Sequence, residues 1–278
     1  MKLKTLAAAL AIASSGSAFA GVGTPVASST GGEMLLSIFS QAGQATYQLD
    51  IGLLYADFVS QAFAKLPDST SPYTISLTID ASTDAAFSSF INHIGAQSDV
   101  KYSFIGGDNS GVTAAARSMA TTIRAGGDVT VITNGNLVDG MNSIANNYID
   151  SGVNTKVGNV MAVNGSSWFT QAENNNGHYY KVDQTTLNGK FNIGNDNLVG
   201  TAADVYHFVR SSTSAGGNAI ETKLGAFNVV KNSNTQYVVS FSTPLTTPVA
   251  VVPEPSSYAL AIAGLGVVGL IARRRRVA

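Results

Sequence analysis

The stretch Tyr73-Thr74-Ile75-Ser76-Leu77-Thr78-Ile79-Asp80 sets the fold class of this chain. Tyr73, Ile75, Leu77 and Ile79 alternate strictly with Thr74, Ser76, Thr78 and Asp80, the period of an antiparallel strand with one buried and one wet face. Immediately after it the period changes. Asp84 can cap a helix whose Phe87, Phe90, Ile91 and Ile94 form one apolar stripe, closed by Gly95. Before it, Tyr47 to Leu53 alternates as a strand, and Leu54, Phe58, Ala62 and Leu66 recur at helical spacing with Pro67 as the stop.

Working outward, Val100 to Ile105 and Asp128 to Thr133 read as strands. Ser110 heads a helical stripe of Val112, Ala116, Met119 and Ile123, stopped by Gly126-Gly127. Leu137, Met141, Ile144, Tyr148 and Ile149 form another, ending before Gly152. Beyond Val157 short β-prone runs are parted by Asn, Gly and Asp: Val160 to Val163, His178 to Val182, Val205 to Val209, Ala226 to Val230 and Tyr237 to Phe241. Lys231 to Asn234 closes a hairpin between the last two. The expectation is a mostly β (α+β) body, an antiparallel sandwich with a few inserted or flanking helices. A βαβ layer in the first half, or a split near Gly152 to Gly165, is the alternative.

Both ends carry targeting patterns. Lys2 and Lys4, the apolar helical run Leu6 to Ala13, and Ala18-Phe19-Ala20 make a signal peptide over residues 1–20, with cleavage after Ala20 and Gly21 as the mature start. The exported body would be residues 21–242, followed by an extended linker, 243–252, containing Pro244 and Pro248. At the far end Val252-Pro253-Glu254-Pro255 precedes an uncharged run, Tyr258 to Ala272, and then Arg273, Arg274, Arg275 and Arg276. The prolines hold Glu254 extended, and the arginines are a stop-transfer signal that stays cytoplasmic. As a transmembrane helix, residues 258–272 would span roughly 23 Å, short of the ~30 Å hydrocarbon core. That argues for a temporary tether rather than a permanent tail anchor.

This three-part ending resembles the sorting region, residues 253–278, of PEP-CTERM proteins of Gram-negative bacteria that make exopolysaccharide. The resemblance implies an exosortase as processing partner, acting near Pro253-Glu254-Pro255. It also implies export through the Sec translocon, transient residence in the inner membrane, and delivery to the cell surface or a biofilm matrix. The body domain carries no family assignment.

Composition narrows the chemistry. Of 16 basic residues six lie in the terminal segments, and of 17 acidic ones only Glu254 does, so the exported body sets ten bases against sixteen acids. A mildly acidic body without a basic cluster argues against nucleic acid. The absence of cysteine excludes thiol catalysis, zinc–cysteine sites and disulfides. Gly107-Asp108-Asn109-Ser110-Gly111 fits a turn and helix cap better than a serine nucleophile. His93, His178 and His207 form no helix-borne metal pair, and the Asp108-Asn109, Glu173 to Asn176 and Asn195-Asp196-Asn197 stretches match no calcium loop. No catalytic residue, metal or cofactor is therefore expected. Trp168, Tyr179 and Tyr180, flanking the Glu173 to Gly177 loop, are the candidate carbohydrate contacts. The expected role is a non-enzymatic structural or carbohydrate-associating one; the alternative is a secreted hydrolase acting on matrix polysaccharide.

Overall fold

A computed structural model of the chain describes residues 32–66, 70–109, 113, 117–143, 165–170 and 193–245. Ten strands form one sheet: β1 (Glu33–Ser40), β2 (Ala45–Leu54), β3 (Thr74–Asp80), β4 (Lys101–Asp108), β5 (Ser118–Thr122), β6 (Ser166–Thr170), β7 (Asn197–Leu198), β8 (Ala203–Val209), β9 (Ile220–Lys231) and β10 (Gln236–Ser242). Three helices accompany them: α1 (Tyr55–Phe63), α2 (Ala85–Ile94) and α3 (Asn134–Ser143). The strand order is β3-β10-β9-β8-β5-β4-β1-β2-β6, with β7 on β4 beyond the end of β5. Every described strand pair is antiparallel. Strands from the two halves of the chain share this sheet, and among the described residues no βαβ layer forms.

The expected sandwich is instead a single curled sheet, an open half-barrel. Phe87 of α2 shows why. Its ring centroid lies 5.2 Å from Tyr47 on β2 and 5.1 Å from Tyr237 on β10. Six ladder steps separate those strands, about 29 Å in a flat sheet. One aromatic ring touches both only if the sheet curls until its ends converge on α2. The helix also packs against β6 and β3, the two terminal strands of the order.

Sequence dictates how α2 reaches that position. Asp84 caps it, accepting the Phe87 N–H at 2.8 Å, and the same carboxylate accepts the Tyr47 hydroxyl at 2.7 Å and the Ser166 hydroxyl at 2.8 Å. The cap thereby ties α2 to β2 and β6. Phe87, Phe90 and Ile94 are buried, as their spacing requires. α1 fills the rest of the concave face: Phe58 meets Phe104 of β4 at 5.3 Å and Phe241 of β10 at 5.0 Å, both edge-on. On the other face α3 contributes Leu137 and Met141 to a smaller core with Leu35, Ile105, Met119 and Phe208. The structure is thus layered, helices lying on both sides of the sheet.

Two segments depart from expectation. Met119 belongs to β5, not to a helix: Met119 and Thr121 face the α3 side while Ala120 lies in the core on the concave side. Asp128 to Thr133 is not a strand. Val129–Val131 forms a 3-10 turn capped by Asp128, and only Thr133 makes a bridge, to Asn218. At the C-terminal edge, Thr243 donates its N–H to the Tyr73 carbonyl and accepts the Tyr73 N–H on Oγ1, each at 3.0 Å, so the ladder continues into the first residue of the expected linker. No helix among the described residues is long and apolar enough to cross a membrane. The expected signal helix, residues 1–20, and transmembrane helix, residues 258–272, lie outside the described residues. So do Val160 to Val163 and His178 to Val182.

Phe87→Ala should remove the contact shared by the two ends of the sheet. The expected loss is about 3–5 kcal/mol of stability, the usual cost of truncating a buried phenylalanine, read as a lower midpoint in urea titration. A change below about 1 kcal/mol would mean that the sheet holds its curl without α2.

Candidate binding groove and buried imidazole

Of the sequence-derived contacts, Trp168 stands on β6 opposite Tyr47, partly buried, with its ring 5.6 Å from His93 of α2. His93 is exposed and its Nε2 lies 3.1 Å from the Gly43 carbonyl. Trp168 therefore packs between helix and edge strand. Tyr179, Tyr180, His178 and the sorting residues Val252 to Pro255 and Arg273 to Arg276 lie outside the described residues, as do Ala18, Ala20 and Gly21.

The most concentrated polar chemistry sits where β5 ends and β7 joins β4. Thr122 Oγ1 donates to the Asn195 carbonyl at 2.7 Å, and Asn197 Nδ2 to the Ile123 carbonyl at 3.1 Å, which lays 194–197 alongside the end of β5. Arg124 N–H then donates to the Gly194 carbonyl at 2.8 Å. A Cβ at Gly194 would overlap the Arg124 guanidinium, so any larger residue here would displace it. The chain reverses at once, Gly127 N–H donating to the Arg124 carbonyl at 2.9 Å with Gly126 at φ 79°, a conformation that suits glycine.

These supports place Asp196 between two cations. Its side chain is 1% exposed; Lys101 Nζ donates to Oδ2 at 2.8 Å, and Arg124 donates through Nε, at 2.8 Å, and Nη2 to Oδ1. A carboxylate so buried persists only when paired and hydrogen-bonded. The side chains of the Asn195-Asp196-Asn197 stretch thus engage Thr121, the two cations and Ile123. Among the described residues no cluster of three or more His, Asp or Glu is placed to hold one.

Two cavities flank Arg124. One, of about 260 Å³, is lined by Lys101, Arg124, Ala125, Asp196, Leu198 and Thr201. The other, of about 310 Å³, lies against Arg124, the Gly126-Gly127 turn, Asn197, Asp204 and Tyr206. Among the described residues each is lined by a single carboxylate, and each carboxylate is engaged: Asp196 as above, Asp204 by Lys223 at 2.7 Å. Sequence reading missed this groove because Lys101 and Arg124 are 95 and 72 residues from Asp196. Its one local signal is an arginine two positions ahead of a glycine pair, in Arg124-Ala125-Gly126-Gly127.

A second polar constellation is sealed inside the sheet. Tyr55, at the start of α1, donates its hydroxyl to Ser118 Oγ at 2.7 Å, and His207 Nε2 lies 2.9 Å from Tyr55 Oη. With the phenol proton given to Ser118, the neutral imidazole donates from Nε2. The proton chain runs toward the serine, the reverse of what an activated nucleophile needs. His207 is 7% exposed, and burial pushes its pKa down from 6.5 to about 4. Burial likewise holds the Tyr55 hydroxyl well above its ordinary range.

Comparison with known proteins defines the class first. Residues 251–276 match the PEP-CTERM protein-sorting motif, the exosortase recognition signal, which marks a chain for export and for processing at the membrane on its way to the cell surface. The chain is therefore a PEP-CTERM domain-containing protein, with a curled-sheet body that has no assigned family. No curated protein and no solved structure matches it.

The buried imidazole makes stability depend on pH. Its folded pKa lies below the unfolded value, so the unfolded chain binds the proton first as pH falls. This contribution is complete above about pH 6.5 and declines toward pH 4, by about 3 kcal/mol. Urea midpoints measured from pH 7 to pH 4 should fall more steeply in the native protein than in His207→Gln. Parallel curves would remove His207 as the cause.

Proposed function

We propose that this is an exported, non-enzymatic protein of the cell surface or exopolysaccharide matrix of a Gram-negative bacterium. The tail tethers it transiently, an exosortase processes it at Pro253-Glu254-Pro255, and the body serves a structural or carbohydrate-associating role. The observation that carries the reading is the sorting motif at residues 251–276, whose order of Pro-Glu-Pro, apolar run and arginines suits a precursor signal.

The body's charge is consistent with this role. Its mild acidity favours solubility in a hydrated matrix, and it holds no basic stripe of the kind that draws nucleic acid. The groove beside Arg124 supplies what a saccharide site uses: hydrogen-bonding side chains, an aromatic edge at Tyr206, and small apolar surfaces at Ala125 and Leu198.

Intact-mass analysis of the protein recovered from the cell surface should show a chain beginning at Gly21 and lacking Arg273 to Arg276. Replacing Pro253-Glu254-Pro255 by alanines should leave the precursor in the membrane fraction. Recovery of the full tail from cells with an active exosortase, or unchanged release of the alanine variant, would overturn the processing.

A further inference from the structure

We propose that the groove on either side of Arg124 binds an acidic polysaccharide, whose uronate-type carboxylate sits against Arg124 and Lys101. This rests on the matrix-associating role proposed above, and adds the sign of the polymer's charge and the residues that read it.

The charge count at the site is the first argument. One carboxylate, Asp196, stands between two cations, leaving one positive charge over. Geometry leaves donors over as well. Arg124 directs both Nε and Nη2 at the same oxygen, Oδ1, so its Nη1 has no partner among the described residues. Lys101 uses one of its three donors on Oδ2. The two cationic side chains remain 45% and 30% exposed, so Asp196 holds them in place without covering them. A fixed guanidinium with free donors is a receptor for carboxylate.

The surroundings match the rest of a sugar acid. The smaller cavity places Ala125 and Leu198, the latter 49% exposed, beside those cations. A pyranose ring with a carboxylate at one end presents C–H groups to such a surface and hydroxyls to Thr201. Across Arg124, the larger cavity offers the Tyr206 ring and the outer, half-exposed Asp204 carboxylate, suited to the hydroxyls of a second ring. Both cavities share Arg124, Ala125 and Asn197, so a linear polymer can cross from one to the other. A small anion would use only the cations and leave both cavities unfilled. In an acidic body this local positive spot also fixes where a polyanion can approach.

The test is titration of the exported protein, followed by backbone NMR, with hexamannuronate as the acidic probe, cellohexaose as the neutral one and sodium sulfate as the simple anion. Hexamannuronate should shift the amides of residues 123–127 and 196–204. Ala125→Glu, which cancels the surplus positive charge of the groove from an exposed turn position, should weaken that binding at least tenfold, while Ala125→Ser should bind as native. Native-strength binding by Ala125→Glu overturns the proposal, as does equal binding of cellohexaose or reproduction of the shifts by equimolar sulfate. Co-sedimentation with the organism's own exopolysaccharide separates the two levels. If native protein and Ala125→Glu both co-sediment with the polymer to the same extent, the groove is wrong and the matrix role stands. If native protein stays in solution, the matrix role fails, and the hexamannuronate titration alone decides the groove.

Discussion

The architecture depends on one aromatic contact made twice. Phe87 presses on Tyr47 and on Tyr237, residues on strands six ladder steps apart. A flat antiparallel sheet of this width would leave a broad apolar face open to water, an unstable arrangement. Curling it around two short helices buries that face without a second sheet. α1 supplies the bulk at the centre through Phe58, and α2 joins the ends. Asp84 fixes the joint, because one carboxylate caps the helix and receives hydroxyls from β2 and β6. Nearly all of this is aromatic packing. In a chain without disulfides such packing must supply the rigidity that cross-links would otherwise give.

Polar groups in this fold are segregated by purpose. Inside the sheet, His207, Tyr55 and Ser118 satisfy one another and remain neutral near pH 7. Burying them neutral avoids the cost of an interior charge, and transfers that cost to acid conditions, where the imidazole must charge. At the rim, Asp196 is buried and paired with two cations. Such a cluster is weak evidence for stability, since an apolar replacement is often as stable. It is better understood as a clamp that gives Arg124 and Lys101 fixed positions at the groove.

How much of this was legible in sequence follows from range. Local devices were legible. The alternation from Tyr73 to Ile79, the Asp84 cap three residues ahead of Phe87, and the Gly95 stop each involve neighbours within a few positions. β1 was not, because Glu33 to Ser40 is buried on both faces and shows no period of two. β5 looked helical because Ala116, Met119 and Ile123 fall three and four apart, yet tertiary pairing with β4 and β8 made it a strand. Neighbour order was beyond reach as well. The same alternating strands build a sandwich or a curled sheet, and only long-range contacts such as Phe87 with Tyr237 decide between them. The groove failed for that reason too: Lys101 and Arg124 meet Asp196 across gaps of 95 and 72 positions.

The sorting tail and the groove make complementary demands on the few basic residues of this chain. Six of its sixteen cations lie in the terminal segments, four of them as Arg273 to Arg276. In the proposed processing those six never reach the matrix, so any attraction to an acidic polymer must come from the ten that remain. Ten cations against sixteen acids cannot act through net charge, because the body as a whole repels a polyanion. They can act only where two are brought together over a single counter-charge. Lys101 and Arg124 on Asp196 meet that condition, and the buried position of Asp196 makes the arrangement rigid. Binding of this kind is short-ranged and salt-sensitive, and it holds polymer at one place on the surface without coating the protein with it.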